Sequence, residues 1–269
     1  MSQGTGQRVS PLFDTHAHLD DEQFDDIRAE VIGNAVSAGV RNIVCVGTTA
    51  CSSEKCLRIA EQFPIVHAAV GIQPNYCADA KADDWDRVIK LADSDRAVAI
   101  GETGLDRYWD HCPFDLQQDY FDRHIRLSQE TGQPFIVHMR DCMEDILIML
   151  RDARERGPLH GVMHSYTGDE SNAAECVELG MHISFAGMVT FKKSDELRTV
   201  ASSVPSDRIL IETDAPYLSP HPKRGVRPNE PALICHTAEC LAAARNVPLE
   251  EFSQQTHANA LRFFRLVAG

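Results

Sequence analysis

The chain has no stretch approaching the ~18 consecutive apolar residues of a membrane span, so no transmembrane helix is expected. It also has no apolar segment near its start. Residues 1–10, MSQGTGQRVS, are small and polar and read as a flexible terminus rather than a secretory signal. No Cys-x-x-Cys pair occurs; the closest sets are Cys51/Cys56 and Cys235/Cys240. The nine cysteines are odd in number and mostly flanked by apolar residues. They read as buried free thiols in a reducing cytoplasm, not as a disulfide framework. Positive charge is scarce, with 26 basic against 40 acidic residues and a net charge of −14. That balance repels nucleic acid from the surface as a whole and leaves a local basic rim as the route for an anionic substrate.

What is present is a regular alternation. At 269 residues, 43 % apolar and 25 % charged, the composition suits a full-sized core. Short β-branched runs recur at 11–16, 42–48, 65–72, 97–102, 134–138, 161–166, 181–187 and 208–213. Stretches of helical period lie between them, such as 22–39, 114–132 and 140–157, each ending on glycine. Eight strands, each followed by a helix-length connection, are the count of an α/β single (β/α)8 TIM barrel, here over residues 11–269. The runs are largely apolar throughout, as in a parallel sheet covered on both faces. A doubly wound open sheet gives the same alternation, but no Gly-x-Gly-x-x-Gly follows the first strand to support its nucleotide-binding form. Residues 248–267 read as a terminal amphipathic helix closing the barrel floor or flank.

In such a barrel, catalytic side chains stand at the carboxyl ends of strands. Residues i and i+2 of a strand share a face, so His16 and His18 project together in FDTHAHLD, with Asp14 one step deeper on the same side. Asp20 falls past the strand and reads as the cap of the next helix. The other runs deliver Glu102, His138, His164 and Asp214 at strand ends. A lone histidine there is ordinarily structural and a lone aspartate ordinarily a cap; five strands converging at one level point to a metal site. Four histidines and two carboxylates exceed one tetrahedral zinc and suit two divalent ions sharing a carboxylate, with Glu102 the natural bridge. The donor types suit Zn, Mn, Ni or, with more water, Mg. Asp14 and Glu212 are placed to hold imidazole N–H groups from behind, and for Glu212 an ion pair with an arginine is an equal alternative.

These residues carry a resemblance. FDTHAHLD, AIGETGLDRYW, PFIVHMRD, GVMHSYTG, ISFAGMVTFKK and RILIETDAPYLSP occur in the order and spacing of the TatD family of metal-dependent hydrolases, and the chain resembles that family over nearly its whole length. The resemblance implies that His16, His18, Glu102 and Asp214 hold one ion, and that Glu102, His138 and His164 hold the second. It implies a metal-dependent deoxyribonuclease, often a 3′→5′ exonuclease. One departure stands out: where the family usually has Gly-x-His-Pro, this chain has VGIQP, with Gln73 in the histidine's place. Glutamine donates hydrogen bonds but does not shuttle protons. Arg107 replaces a usual aromatic and adds a cation to the rim.

The expected reaction is attack of water on phosphorus, with Asp214 taking its proton and Glu102 holding the ions. Gln73, Arg107, Tyr108, Arg140, Lys192, Lys193 and Arg227 are the candidate substrate contacts, the cations for phosphate and Tyr108, with Trp109 and Tyr217, for bases of single strands or frayed ends. Lys223 and Arg224 belong to the same basic loops, and His221 lies near the site. His67, His124, His160, His182, His236 and His257 read as structural. Two rival functions stay open: the same centre cleaving a lactone, amide or aminoacyl ester, and a metal-stabilised binding protein without turnover. No obligate protein partner is evident.

Overall fold

The structure is a computed structural model and describes residues 10–267. The flexible terminus expected at 1–10 therefore lies, apart from Ser10, outside the described residues. Every apolar run forms a strand: β1 (Leu12–Ala17), β2 (Val40–Val46), β3 (Val66–Val70), β4 (Ala97–Asp106), β5 (Phe135–Arg140), β6 (Gly161–Met163), β7 (His182–Phe185) and β8 (Ile209–Ile211). All seven neighbouring pairs are parallel, in chain order from β1 to β8. The last seam is closed just beyond β8, where the Asp214 N–H donates to the His16 carbonyl (2.9 Å) and the His18 N–H to that of Ala215 (2.7 Å). A sequential parallel order closing on itself is a barrel and excludes the open doubly wound sheet.

Between and after the strands run α1 (Arg28–Ser37), α2 (Ala50–Gln62), α3 (Asp84–Ala92), α4 (Phe114–Thr131), α5 (Met143–Arg156), α6 (Glu170–Leu179), α7 (Asp195–Ser203), α8 (Ile234–Ala244) and α9 (Leu249–Phe263). Local chemistry sets their ends. Thr49 accepts a hydrogen bond from the Ser52 N–H to start α2, and Asp169 accepts one from Asn172 to start α6. Gly132, at φ 73°, stops α4 in the left-handed region.

Strand parity divides the core. Val44 and Val46 of β2 point into the barrel with Phe13, Ile136, Val162 and Leu210. Ile43 and Cys45 point outward into the layer under the helices. The interior is stoppered from below by α9: Phe263 and Phe264 join it, and Phe264 stacks on Phe13 with ring centroids 5.5 Å apart. The terminal helix thus closes the floor, and the candidate ligands gather at the other end.

Three expectations change in detail. The helix expected over 22–39 divides into a 3₁₀ turn, Glu22–Phe24, and α1. The cap of that turn is Asp21, whose side chain accepts from the Gln23 N–H at 2.9 Å, and not Asp20. Finally, β4 does not end at Glu102 but runs four residues further to Asp106, through an irregularity in its pairing with β5 between Ile100 and Thr103. Glu102 is therefore a mid-strand residue, and the extra length of β4 carries Asp106 to His138.

Candidate metal centre

At the carboxyl end of the barrel the six expected ligands face one another. Glu102 is the divider. Its Oε2 lies 3.8 Å from both His16 Nε2 and His18 Nε2, while its Oε1 lies 3.0 Å from His138 Nδ1 and 3.2 Å from His164 Nε2. Asp214 Oδ1 stands 3.8 Å from His16 Nε2 and 3.6 Å from His18 Nε2, and those two nitrogens are 3.2 Å apart. Donors bound at about 2.05 Å around one tetrahedral ion are separated by roughly 3.3 Å. The spacing of the first group is close to that figure without any rearrangement.

The outer nitrogens show that the donor set suits a cation. His18 Nδ1 lies 2.9 Å from the Val46 carbonyl, which only accepts, so its proton is outside and Nε2 presents a lone pair inward. His164 does the same against Glu212 (Nδ1 to Oε1, 3.2 Å), and His138 against Asp106 (Nε2 to Oδ2, 2.9 Å). Three inward lone pairs thus face carboxylate oxygens, an arrangement that needs positive charge between them. Without a metal that charge is a proton. Burial opposes protonation of His18, but the Asp214 hydrogen bond and the charge of Glu102 outweigh it and raise its pKa to about 10. Burial is likewise outweighed at His138, by Asp106 and Glu102, and at His164, by Glu102 and Glu212; both are raised. Burial would raise Glu102 in turn, and His164 and His138 reverse it, holding the carboxyl well below its usual range. His16 is the exception: buried and stacked at 4.0 Å on His164, it is held well below the ordinary histidine value, and its Nδ1 has no partner among the described residues.

The supporting residues differ from expectation in one case and extend it in another. Asp14 does not hold an imidazole. Its carboxylate accepts from the Thr213 N–H (2.9 Å) and hydroxyl (2.5 Å), and from the His16 backbone N–H (3.4 Å). It lies on the expected face, but the β1–β8 seam brings Thr213 closer than any ring. Burial raises its carboxyl to about 8, against the pull of those Thr213 hydrogen bonds. Glu212 contacts His164, the Ser165 N–H (2.7 Å) and the Ser184 hydroxyl (2.5 Å), and no arginine among the described residues. Sequence reasoning missed Asp106. Besides His138 it accepts from Asn75 Nδ2 (3.1 Å) and from the Tyr108 and Trp109 N–H groups (2.8 and 3.0 Å). Burial works against its ionisation, but His138 and these donors bring its pKa down to about 2. The signal was available: Glu102, Gly104 and Asp106 alternate on one face of β4, and Gly104 pairs with His138. A Cβ at Gly104 would meet the His138 carbonyl at 2.0 Å, so only glycine lets β5 approach.

Above the cluster opens a cavity of about 800 Å³ lined by His18, Gln73, Glu102, His138, Arg140, His164 and Asp214, with Trp109, Tyr76 and Tyr217. Asp141, Ser165 and Asp214, which follow strands β5, β6 and β8, turn there with φ of 56°, 44° and 54°, a left-handed backbone that costs non-glycine residues energy and tends to mark functional sites. Six carboxylates line the cavity, from Asp20, Asp21, Glu102, Asp106, Asp141 and Asp214, against one cation, Arg140. The Arg140 guanidinium lies 3.6 Å over the Tyr108 ring. The other expected cations stay outside. Arg107 makes a bidentate pair with Asp145, both bonds 2.8 Å, and stacks on Phe114. Arg227 is bonded to the Ser219 hydroxyl within its own loop, Arg224 covers Phe191, and Lys192 and Lys193 are exposed beyond the wall. Gln73 lines the cavity, with its Oε1 taken by the Asn75 N–H at 2.9 Å. None of the structural histidines lines it, nor does His221. His124, for example, sits buried between the Ile72 N–H and the Tyr120 carbonyl.

A parallel barrel whose carboxyl face gathers imidazoles around a shared carboxylate defines a metal-dependent hydrolase. The chain belongs to the TatD-related DNase family, whose family model matches residues 13–265. It is 39 % identical over 255 residues to the uncharacterized metal-dependent hydrolase YabD of Bacillus subtilis (strain 168), covering 95 % of this chain and 99 % of that one. It is 32 % identical over 257 residues to the 3′-5′ ssDNA/RNA exonuclease TatD of Citrobacter rodentium (strain ICC168), covering 94 % and 97 %. Among solved structures, the TatD homolog YjjV of Escherichia coli K12 superposes with a TM-score of 0.89 at 27 % identity, covering 96 % of this chain and all of that one.

Proposed function

We propose that this hydrolase cleaves phosphodiester bonds at the 3′ end of single-stranded or frayed DNA, using two divalent cations divided by Glu102. The observation that carries the reading is the split of the Glu102 oxygens between two pairs of imidazole nitrogens, those of His16/His18 and of His138/His164. Bound divalent ions supply Lewis acidity at a phosphoryl oxygen and acidify the attacking water. The residues do the rest. His18, His138 and His164 are fixed in tautomer by Val46, Asp106 and Glu212. Asp214, on its left-handed turn at the edge of the cavity, takes the proton of the attacking water. Arg140, braced on Tyr108, meets a phosphate next to the one cleaved, and the half-exposed Trp109 and Tyr217 offer faces to bases. The Citrobacter relative, named for 3′-5′ exonuclease action on single-stranded DNA and RNA, supports this choice. Nine free cysteines fit a reducing cytoplasm.

The acidity of the cavity favours a second reading, hydrolysis of a neutral ester, lactone or amide. Six carboxylates outnumber Arg140 and the three protonated histidines of the metal-free cavity and hold back a phosphodiester, whereas a neutral ester meets no such barrier. The test is metal-loaded protein against 3′- and 5′-labelled single-stranded DNA, with a chelator control and a Gln73→His variant, beside a simple neutral ester. Loss of label from the 3′ end that stops with chelator is expected. Turnover of the ester with no DNA cleavage under any metal supports the second reading instead.

A further inference from the structure

Away from the histidines, one other set of ligand atoms converges among the described residues. Asp20 in the loop after β1, Cys45 in β2 and Cys56 in α2 each bring one such atom, all within 4.8 Å of one another. The two sulfurs are 3.3 Å apart and neither residue is exposed at all. Strand parity creates the pair, since Val44 and Val46 face the barrel interior and Cys45 must face α2. Asp20 Oδ1 is buried and has no hydrogen-bond partner among the described residues. Lys55 Nζ donates to the Asp20 carbonyl (2.6 Å) and not to this oxygen, and the nearby S–H groups donate too weakly to offset its desolvation. Another part of Asp20 lines the catalytic cavity, so the group has an approach from solvent.

We propose that Asp20, Cys45 and Cys56 form a further cation site, for a thiophilic divalent ion such as Zn²⁺ or Cd²⁺. Two sulfurs and one carboxylate oxygen are the donor set of such ions, while the histidine–carboxylate cluster contains no sulfur; softness keeps the two sites apart. Two thiolates at about 2.3 Å from a tetrahedral ion stand about 3.8 Å apart, so the observed pair needs to open by only about 0.5 Å. The fourth position falls to water from the cavity side. Binding releases both thiol protons to solvent, one for each metal–sulfur bond formed, and no oxidant or reductant takes part. The site joins three elements: the loop carrying Asp20, two residues after His18, is tied to β2 and to α2. An ion there pins the segment that presents His18.

Cd²⁺ titration of the reduced, metal-free chain, followed by thiolate-to-metal charge-transfer absorption in the ultraviolet, reads this site alone, because imidazole and carboxylate ligands give no such band. We expect one equivalent of band per chain, displaced by Zn²⁺, retained in His138→Ala and in Cys77→Ser, and lost in Cys45→Ser/Cys56→Ser. Asp20→Asn, which leaves the apolar packing intact, is expected to weaken binding about tenfold or more. It decides the matter should the double variant fail to fold. Absence of the band in the unaltered chain overturns the proposal, as does an undiminished band in the double variant or unchanged affinity in Asp20→Asn.

Discussion

Replacing Asp106 by Asn changes almost no volume yet should disable half of the metal centre. Asp106 Oδ1 accepts from two backbone N–H groups, those of Tyr108 and Trp109, and Oδ2 accepts from His138 Nε2 and Asn75 Nδ2. An amide has one acceptor and one donor end. With its oxygen toward the backbone pair, its NH₂ confronts the His138 N–H. The imidazole relieves this by moving its proton to Nδ1, the nitrogen that faces Glu102 Oε1 at 3.0 Å. That proton occupies the lone pair a cation needs. With the amide reversed, two backbone N–H groups lose their acceptor at about 1–3 kcal/mol each. We therefore expect a loss of about 10- to 100-fold in affinity for one of two ions, the range seen when a ligand's orienting partner is removed. A comparable fall in turnover follows, with the ion between His16, His18 and Asp214 retained. Metal per chain after equilibrium dialysis, together with loss of 3′ label from single-stranded DNA, measures both. Unchanged affinity for both ions would refute the claim that Asp106 sets the His138 tautomer.

Other substitutions probe separate links. Gly104→Ala sets a Cβ 2.0 Å from the His138 carbonyl at φ 124°, and should lower stability by about 3 kcal/mol or more in thermal or denaturant unfolding. His124 is buried with its pKa lowered to about 4, burial being the main cause, against about 6.5 unfolded. Protons therefore bind the unfolded chain first, and this contribution is present above pH 6.5 and lost as pH falls to 4, roughly 3 kcal/mol in all. Denaturant midpoints across that range should fall less steeply in His124→Leu than in the parent chain. Arg140→Ala should raise KM for single-stranded DNA at least several-fold and spare hydrolysis of a neutral ester, whereas Lys192→Ala, outside the cavity, should change either little.

The parts of this molecule that were legible in its sequence are those that obey short-range rules. Eight β-branched runs gave eight strands because burial on both faces keeps them mostly apolar, and His16 with His18 was readable from the two-residue repeat of a strand. Rules of that range failed at β4, where the polar, glycine-containing TGLD continues the strand and carries Asp106 behind His138. Parity also gave the face of Asp14 but not its neighbour, which the closure of the barrel supplies as Thr213. Cations were the least legible. Arg107 directly follows β4 and Arg140 is the last residue of β5, yet Asp145 captures one and Tyr108 aims the other into the cavity. Those captures depend on partners 38 and 32 positions away, beyond the reach of any local pattern.

The central claim is that Glu102 divides two cations. Anomalous diffraction from crystals of the Mn²⁺-loaded protein, an ion that does not favour the thiolate site, tests it directly. Two peaks are expected, both bonded to Glu102 at about 2.0–2.2 Å, one shared with His16, His18 and Asp214 and the other with His138 and His164. A single peak, or a second peak bonded elsewhere than Glu102, would contradict it.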